Sequence, residues 1–128
     1  MKIFLDDVRE PADCIGYMYR RIGKDNLLYI EKWCVVRNYF SFIGLVQLCQ
    51  ENNIEITHIS FDHDLGYVMT EDQGKIIIAD DYKEEDKTGL DCAKFIKELY
   101  QREGKKLPIM FVHSMNPVGT QHIIDLFK

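Results

Sequence analysis

The sequence predicts an α/β fold built on a mostly parallel sheet of about four core strands. Short apolar segments typical of buried strands alternate along the 128 residues with segments whose apolar residues recur at helical spacing. This alternation is the pattern of β-α-β units, in which a helix joins two parallel strands. A chain of this length fits a single domain, residues 1–128, with a core of ordinary size.

Four segments are predicted as core strands. They are Lys2–Leu5, rich in apolar residues, and residues 33–37, 57–61 and 108–112, which are rich in β-branched and aromatic residues. Each is followed at once by polar or charged residues. In open parallel sheets ligands bind beyond the carboxyl ends of the strands, so we expect the functional site at this edge.

Three helices are predicted from apolar spacing and from their capping residues. The first, Tyr39–Glu51, carries apolar residues at helical spacing. The second begins at a capping box formed by Thr88 and Asp91 and ends at Gly104. The third begins at Asn116, a good N-cap, which a proline follows at the first helical position.

Two segments between the core elements are predicted as hairpin-like insertions, residues 12–32 and 67–87. In the first, apolar stretches flank the turn-forming residues 23–26. In the second, the isoleucines 76–78 follow a polar turn and precede an acidic loop. Loops inserted over the strand ends could form a lid or a partner surface.

Composition and charge restrict the class of partner. A net charge of −5 and a pI near 5.3 argue against duplex DNA as a partner, because that affinity depends on many basic groups. A small anionic ligand remains compatible with local basic groups. The chain carries no signal-like segment and no apolar run near the roughly 20 residues that span a bilayer, so we expect no membrane partner and a cytoplasmic location. The oligomeric state is left open.

The four cysteines are predicted to be reduced core residues. They are widely spaced, contain no Cys-x-x-Cys pair and mostly lie in apolar patterns, at Cys14, Cys34, Cys49 and Cys92. A zinc site or a disulfide framework is the less favoured alternative.

Aspartates at two strand ends are predicted to hold a divalent cation. Asp6 and Asp7 follow the first strand, and Asp62 and Asp64 follow the third. Carboxylates placed this close together cannot all stay ionised without compensation. Mg²⁺ or Mn²⁺ would supply it, since Mg²⁺ binds one or two carboxylates together with water and phosphate oxygens. The alternative is that single aspartates cap turns or helices.

Two histidines are predicted to exchange protons with a substrate. His63 and His113 follow different strands, so their imidazoles could meet across a ligand as general base and general acid. The alternative is a structural role, which we expect for His58 and His122. A serine-type triad that uses Ser114 is disfavoured because the chain has no Gly-x-Ser-x-Gly sequence.

Four further residues are predicted to bind phosphate. Ser114 precedes the helix that starts at Asn116, where free backbone N–H groups and the helix dipole favour an anion. Arg9 and Arg37 each lie at or just past a strand end and could grip phosphate with forked hydrogen bonds. The alternatives are a plain helix cap for Asn116 and ion pairs with aspartates for the arginines.

The placement of these residues resembles the receiver domains of response regulators. Receivers have an acidic pair after the first strand, here Asp6 and Asp7, an aspartate after the third, here Asp62, and a hydroxyl residue after the fourth, here Ser114. The resemblance implies a flavodoxin-like three-layer sandwich. The fifth strand and its lysine are missing, which ranks aspartyl phosphorylation of Asp62 last among the functions considered.

The chain is more closely similar to the cyclic-phosphate-processing receiver domains, a divergent family. The resemblance rests on five stretches that span most of the chain: Ile3 to Pro11, Trp33 with Arg37, Ile59 to Gly66, Thr88-Gly89-x-Asp91, and Val112 to Gly119. It implies processing of a cyclic phosphate, either at an RNA 2′,3′-cyclic phosphate end or in a cyclic nucleotide.

Under that resemblance the predicted residues take separate roles. Asp62 and Asp7 would hold a cation or orient water, while His63 and His113 would act as base and acid. A non-catalytic receiver-like module that binds a phosphorylated ligand or a protein partner is the competing hypothesis.

Overall fold

Four parallel strands form the central sheet of the computed structural model, which describes residues 1–65, 69–72, 75–78 and 87–128. The order of strands across the sheet is β2-β1-β3-β6, and β4 and β5 pair antiparallel in a sheet of their own. The predicted α/β class is confirmed. In chain order the strands are β1 (Lys2–Leu5), β2 (Cys34–Val36), β3 (His58–Phe61), β4 (Met69–Asp72), β5 (Lys75–Ile78) and β6 (Ile109–Val112).

The described residues contain four α-helices, of which three lie between strands and one follows β6, and the three that were predicted are confirmed together with their caps. Thr88 and Asp91 form the predicted capping box, and the side chain of Asn116 accepts a hydrogen bond from the backbone N–H of Gly119 at 3.0 Å. In the part of the chain that the structure describes, no helix is long and apolar enough to cross a bilayer. The helices are α1 (Ile15–Ile22), α2 (Tyr39–Glu51), α3 (Gly89–Glu103) and α4 (Pro117–Leu126).

Side chains alternate between the two faces of the sheet, so each strand contributes to two separate cores. Ile3 and Leu5 of β1 belong to a cluster with α2, α3 and α4, whereas Phe4 belongs to a cluster with the segment that contains α1. The sheet is therefore a middle layer between helices. Three of the four cysteines, all free thiols, are buried in these cores as predicted: Cys14, Cys49 and Cys92.

The prediction of a hairpin at residues 12–32 is wrong, because this segment is helical. It forms a 3-10 helix at Pro11–Cys14, then α1, then a second 3-10 helix at Gly23–Ile30. Met18 and Tyr29 are buried against the sheet by this arrangement. Burial against the sheet therefore decides that this segment is helical. The turn-forming residues 23–26 do not begin a hairpin; instead α1 ends at Gly23, which has a φ of 62°.

The predicted second insertion contains the antiparallel pair β4 and β5. Thr70 pairs with Ile77 and Asp72 with Lys75, which is the register of a hairpin. The turn residues 73–74 and most of the predicted acidic loop, residues 79–86, lie outside the described residues.

Replacing Gly89 with alanine is expected to lower the free energy of unfolding by about 2 kcal/mol or more. A β-carbon there would lie 1.6 Å from the carbonyl oxygen of Asp62, so the start of α3 and the end of β3 would have to separate. Gly44 is the matched control, because no atom lies within 4 Å of its added β-carbon. Urea denaturation should show Gly44→Ala unchanged or more stable. Equal losses in the two variants would contradict the close approach.

Candidate functional site

A cleft of about 340 Å³ opens at the carboxyl ends of the parallel strands. Its lining includes six of the ten residues predicted for the site: Asp6, Asp7, Arg9, Asp62, Asp64 and Asn116. Val8 and Met115 are the other described residues of the lining. A larger cavity of about 650 Å³ lies at the opposite end of the sheet, beside Thr57, His58 and Ile109, and contains none of the predicted residues.

Strand pairing brings three carboxylates together in this cleft. Leu5 of β1 pairs with Phe61 of β3, so the residues that follow them, Asp6 and Asp62, leave the sheet side by side. Asp6, Asp7 and Asp62 each offer an oxygen within 4.8 Å of the others. The expectation that acidic residues of two strand ends meet is confirmed for these three.

Asp6 is the carboxylate that the protein itself fully compensates. It is 1% exposed, and its Oδ1 accepts hydrogen bonds from the backbone N–H groups of Val8 at 2.9 Å and Arg9 at 2.7 Å. Its Oδ2 accepts one from Nε2 of His113 at 3.0 Å. Burial alone would raise the pKa of Asp6, but these hydrogen bonds outweigh it and hold that pKa at about 2. Asp6 is therefore a fixed negative charge.

Asp62 and Asp7 lack this compensation. Burial, followed by the charge of Asp6, raises the pKa of Asp62 to about 6. Burial and the same neighbouring charge raise the pKa of Asp7. Among the described residues, the side chain of Asp62 has one hydrogen-bond partner, the backbone N–H of His63 at 2.8 Å. Three close carboxylates, two of them under mutual repulsion, form a donor set that fits Mg²⁺ or Mn²⁺.

His113 lies beneath the carboxylates and is 0% exposed. It shares the face of the sheet that carries Phe4 and stacks on that ring, with centroids 4.3 Å apart and planes 8° apart. Its Nδ1 lies 2.7 Å from Oγ of Ser60, which lies 2.6 Å from the phenol oxygen of Tyr29. A buried chain of hydrogen bonds thus runs from Tyr29 to Asp6.

The chemistry of the groups fixes the direction of this chain. An ionised Asp6 can only accept, so Nε2 of His113 carries the hydrogen and Nδ1 is the acceptor. Ser60 then donates to Nδ1 and accepts from Tyr29, whose pKa is raised by burial so that the phenol keeps its proton. Burial lowers the pKa of His113 and keeps the imidazole neutral at physiological pH.

The structure corrects the predicted location of His113. The sequence predicts this imidazole opposite His63 across a substrate, whereas it lies below the cleft with both nitrogens engaged. The serine that contacts it is Ser60, which is 0% exposed, and not Ser114. Ser60 is buried and its Oγ also contacts the phenol of Tyr29, so a substrate cannot reach it as a nucleophile. The disfavoured triad does not form either, because His113 contacts Ser60 and not Ser114.

His63 does not line the cleft, but it lies between Asp62 and Asp64 in the chain, which both do. Its Nδ1 lies 3.0 Å from Oδ1 of Asp64, which lines the cleft. The other side of the ring is covered by α4, since a β-carbon added to Gly119 would lie 2.3 Å from Cγ of His63. With Nδ1–H held by Asp64, Nε2 is left as the proton acceptor.

The two arginines have different surroundings. Arg9 lines the cleft, is partly exposed, and places Nη1 3.6 Å from Oδ2 of Asp6. Arg37 lies outside the lining and donates to the carbonyl oxygens of Arg9 at 2.6 Å and Asp6 at 3.3 Å, and it also pairs with Glu10. Arg37 thus holds the loop that carries Arg9. Its acidic partner is Glu10 and not one of the aspartates, whereas Arg9 is the arginine that lies near an aspartate carboxylate, as the alternative expected.

The side chains of Ser114 and Asn116 form hydrogen bonds within the turn that leads into α4. Ser114 is fully buried, and its Oγ accepts a hydrogen bond from the backbone N–H of Asn116 at 3.1 Å. Asn116 caps the helix through Gly119, and its Nδ2 lies 3.4 Å from both carboxylate oxygens of Asp64. Of the two, Asn116 reaches the cleft.

Sequence reasoning misses the residues that support the site from below. Tyr17 donates to the carbonyl oxygen of His113 at 2.6 Å, and Tyr29 and Ser60 complete the buried chain. One signal was present: Ser60 interrupts an otherwise apolar buried strand, and a buried hydroxyl requires a partner.

The comparison with known families agrees with the resemblance found in the sequence. A family model described as "Cyclic-phosphate processing Receiver domain" matches residues 1–128, which is the whole chain. No curated protein and no solved structure matches the chain at the thresholds applied. The match therefore covers all four core strands, the strand-end cleft and both insertions.

The same substitution at two neighbouring aspartates is expected to have opposite effects on stability. At pH 7.5 without divalent ions, Asp62→Asn should raise the free energy of unfolding by about 2 kcal/mol, because it removes an uncompensated buried charge. Asp6→Asn should lower it by about 1 to 3 kcal/mol, because it removes a charge that three hydrogen bonds stabilise. Urea denaturation measures both changes in unfolding free energy. Changes of the same sign would contradict the difference in electrostatic environment between Asp6 and Asp62.

The advantage of Asp62→Asn should depend on pH. The pKa of Asp62 is raised from 3.8 to about 6 in the folded state, so its contribution to stability is complete below pH 3.8 and is lost as pH rises through 6. The difference in unfolding free energy between Asp62→Asn and wild type should therefore grow between about pH 4 and about pH 6 and level off above that. A difference that stays constant from pH 4.5 to 7.5 would exclude the raised pKa.

Proposed function

The chain belongs to the family of cyclic-phosphate processing receiver domains, and from that membership we propose that it hydrolyses a cyclic phosphodiester in the strand-end cleft with a divalent cation. The observation that carries the proposal is the cluster of Asp6, Asp7 and Asp62, whose oxygens lie within 4.8 Å of one another. It stands beside Arg9 in an open cleft of about 340 Å³. The substrate class is an RNA 2′,3′-cyclic phosphate end or a cyclic nucleotide.

Asp7 and Asp62 are the main cation ligands in this proposal. Their pKa values are raised, so a positive ion relieves the repulsion that they experience. Asp6 adds a third oxygen while its other contacts keep it in place. When bound, the cation supplies Lewis-acid polarisation of a phosphoryl oxygen and an acidified water ligand.

Arg9 and the rim of α4 orient the phosphate. The guanidinium of Arg9 is always charged and lies in the cleft, where it neutralises charge on the phosphoryl oxygens that the carboxylates would otherwise repel. Arg37 fixes the backbone at Arg9 and so aims its side chain. Asn116 offers an amide N–H at the opposite side of the cleft.

The His63–Asp64 pair transfers the proton. Nε2 of His63 accepts a proton from water as the water oxygen bonds to phosphorus. One ring P–O bond breaks, and the departing sugar oxygen takes a proton from solvent and becomes a hydroxyl, while the imidazolium of His63 afterwards returns its proton to solvent. The product is a phosphomonoester. Asp64 stabilises the imidazolium through Nδ1–H at 3.0 Å. His113 acts in this scheme as a positioning residue for Asp6.

A second candidate function, a module that binds a phosphorylated ligand without catalysis, is supported by the position of His113. Of the two histidines predicted to act as an acid–base pair, His113 is fully buried with both nitrogens engaged, which leaves His63 without a partner imidazole. A module that binds a phosphorylated ligand without changing it needs the carboxylates, the cation and Arg9 but no proton transfer.

Turnover of a nucleoside 2′,3′-cyclic phosphate tests the hydrolase proposal. With Mg²⁺ or Mn²⁺ the purified protein should release a 2′- or 3′-monophosphate, detected by chromatography. His63→Ala should lower kcat by about 10²-fold to 10⁴-fold, the usual contribution of a general base. Asp62→Asn should also abolish cation-dependent turnover.

His122→Ala is the matched control, since this histidine is exposed on α4 and does not line the cleft. It should leave turnover unchanged. If wild type is inactive on a panel of cyclic phosphodiesters with either cation, the hydrolase proposal should be dropped. Nucleotide binding that survives His63→Ala, with no product from wild type, would favour the binding module.

A further inference from the structure

Two exposed apolar side chains line the cleft beside its carboxylates. Val8 is 64% exposed and Met115 is 57% exposed. The other lining residues in the described part of the chain are charged or are amides. An apolar surface joined to a phosphate-type site suits a ligand that has an apolar ring attached to an anionic group.

The two side chains stand on either side of Asp62. Val8 follows β1 and Met115 follows β6, and β3, which delivers Asp62, lies between these strands. Strands in a sheet lie about 4.8 Å apart, so the two loops are separated by roughly 10 Å. Long side chains such as methionine can contact a flat ring held across that distance.

Both loops are fixed by hydrogen bonds to buried side chains, so the exposure of Val8 and Met115 belongs to the folded structure of the cleft. The backbone N–H of Val8 is held by Asp6, and the loop that bears Met115 is held by Ser114, which accepts from Asn116 at 3.1 Å. Asp6 and Ser114 are both buried. The positions of the apolar residues are therefore tied to that of the carboxylate cluster.

We propose that Val8 and Met115 form the nucleobase-binding part of the cleft. This inference rests on the proposed function, because it places the cyclic phosphate of the same nucleotide at the aspartates. Thioether sulfur makes favourable contacts with aromatic ring edges, and valine covers an opposing face. Since these contacts are apolar, the site should favour nucleosides over base-free cyclic phosphates and should discriminate weakly among the bases.

Matched substitutions and two substrates test this assignment. Val8→Ala and Met115→Ala are compared with Val118→Ala and Leu27→Ala, which remove side chains that are 64% and 56% exposed and lie outside the cleft. Each variant is assayed with a nucleoside 2′,3′-cyclic phosphate and with glycerol 1,2-cyclic phosphate, which has no base. Thermal melting checks that all four variants are folded.

Combining Val8→Ala with Met115→Ala should raise KM for the nucleotide about tenfold and leave KM for the glycerol compound unchanged. The control variants should change neither value. A short oligoribonucleotide with a terminal cyclic phosphate forms a separate arm. Tighter binding of that oligonucleotide than of the mononucleotide, lost in the same variants, would identify an RNA end as the source of the ligand.

Direct binding separates failure of this inference from failure of the proposed hydrolysis. Calorimetric titration of the nucleotide with Mn²⁺ present needs no turnover. Weaker binding in the cleft variants alone supports the nucleobase assignment even where no product forms. Equal affinities in cleft and control variants, or no nucleotide binding by wild type, would overturn it.

Discussion

The buried contact between His113 and Asp6 is the interaction on which the site depends. Its 3.0 Å hydrogen bond joins the carboxyl ends of β1 and β6 across β3, and it continues through Ser60 to Tyr29 in the helical layer. Burial raises the pKa values of Asp62 and Asp7, and the charge of Asp6, which is thereby held ionised, raises them further. The electrostatic repulsion within the cluster therefore acts on Asp62 and Asp7, and a bound cation would relieve it.

Asp6 and Asp62 have different roles although they share one cleft. Asp6 accepts three hydrogen bonds from the protein, so it acts as a fixed charge that also anchors the turn carrying Val8 and Arg9. Within the described residues the side chain of Asp62 accepts one hydrogen bond, which leaves it available to a ligand. In a receiver the corresponding position accepts a phosphoryl group. Here the neighbouring His63–Asp64 pair supports hydrolysis as the proposed use of the same strand end.

Strand ends and helix caps were predictable from the sequence because their signals are local. The capping box of Thr88 and Asp91 and the N-cap at Asn116 depend on residues three positions apart, and the structure shows both. Residues 12–32 were not predictable in the same way, since their helical form depends on burial of Tyr29 and Met18 against the sheet. The role of His113 depends on Ser60 and Tyr29, which lie 53 and 84 positions earlier in the chain, so no local sequence signal reveals it.

A crystal of the protein soaked with Mn²⁺ and a nucleoside 2′,3′-cyclic phosphate tests the central claim most directly. Anomalous scattering locates the ion independently of any assay. The account predicts a manganese peak bonded to Asp62 and Asp7, with the phosphate between the ion and Arg9. A strand-end cleft without manganese, or an ion and nucleotide held in the larger cavity at the other end of the sheet, would contradict it.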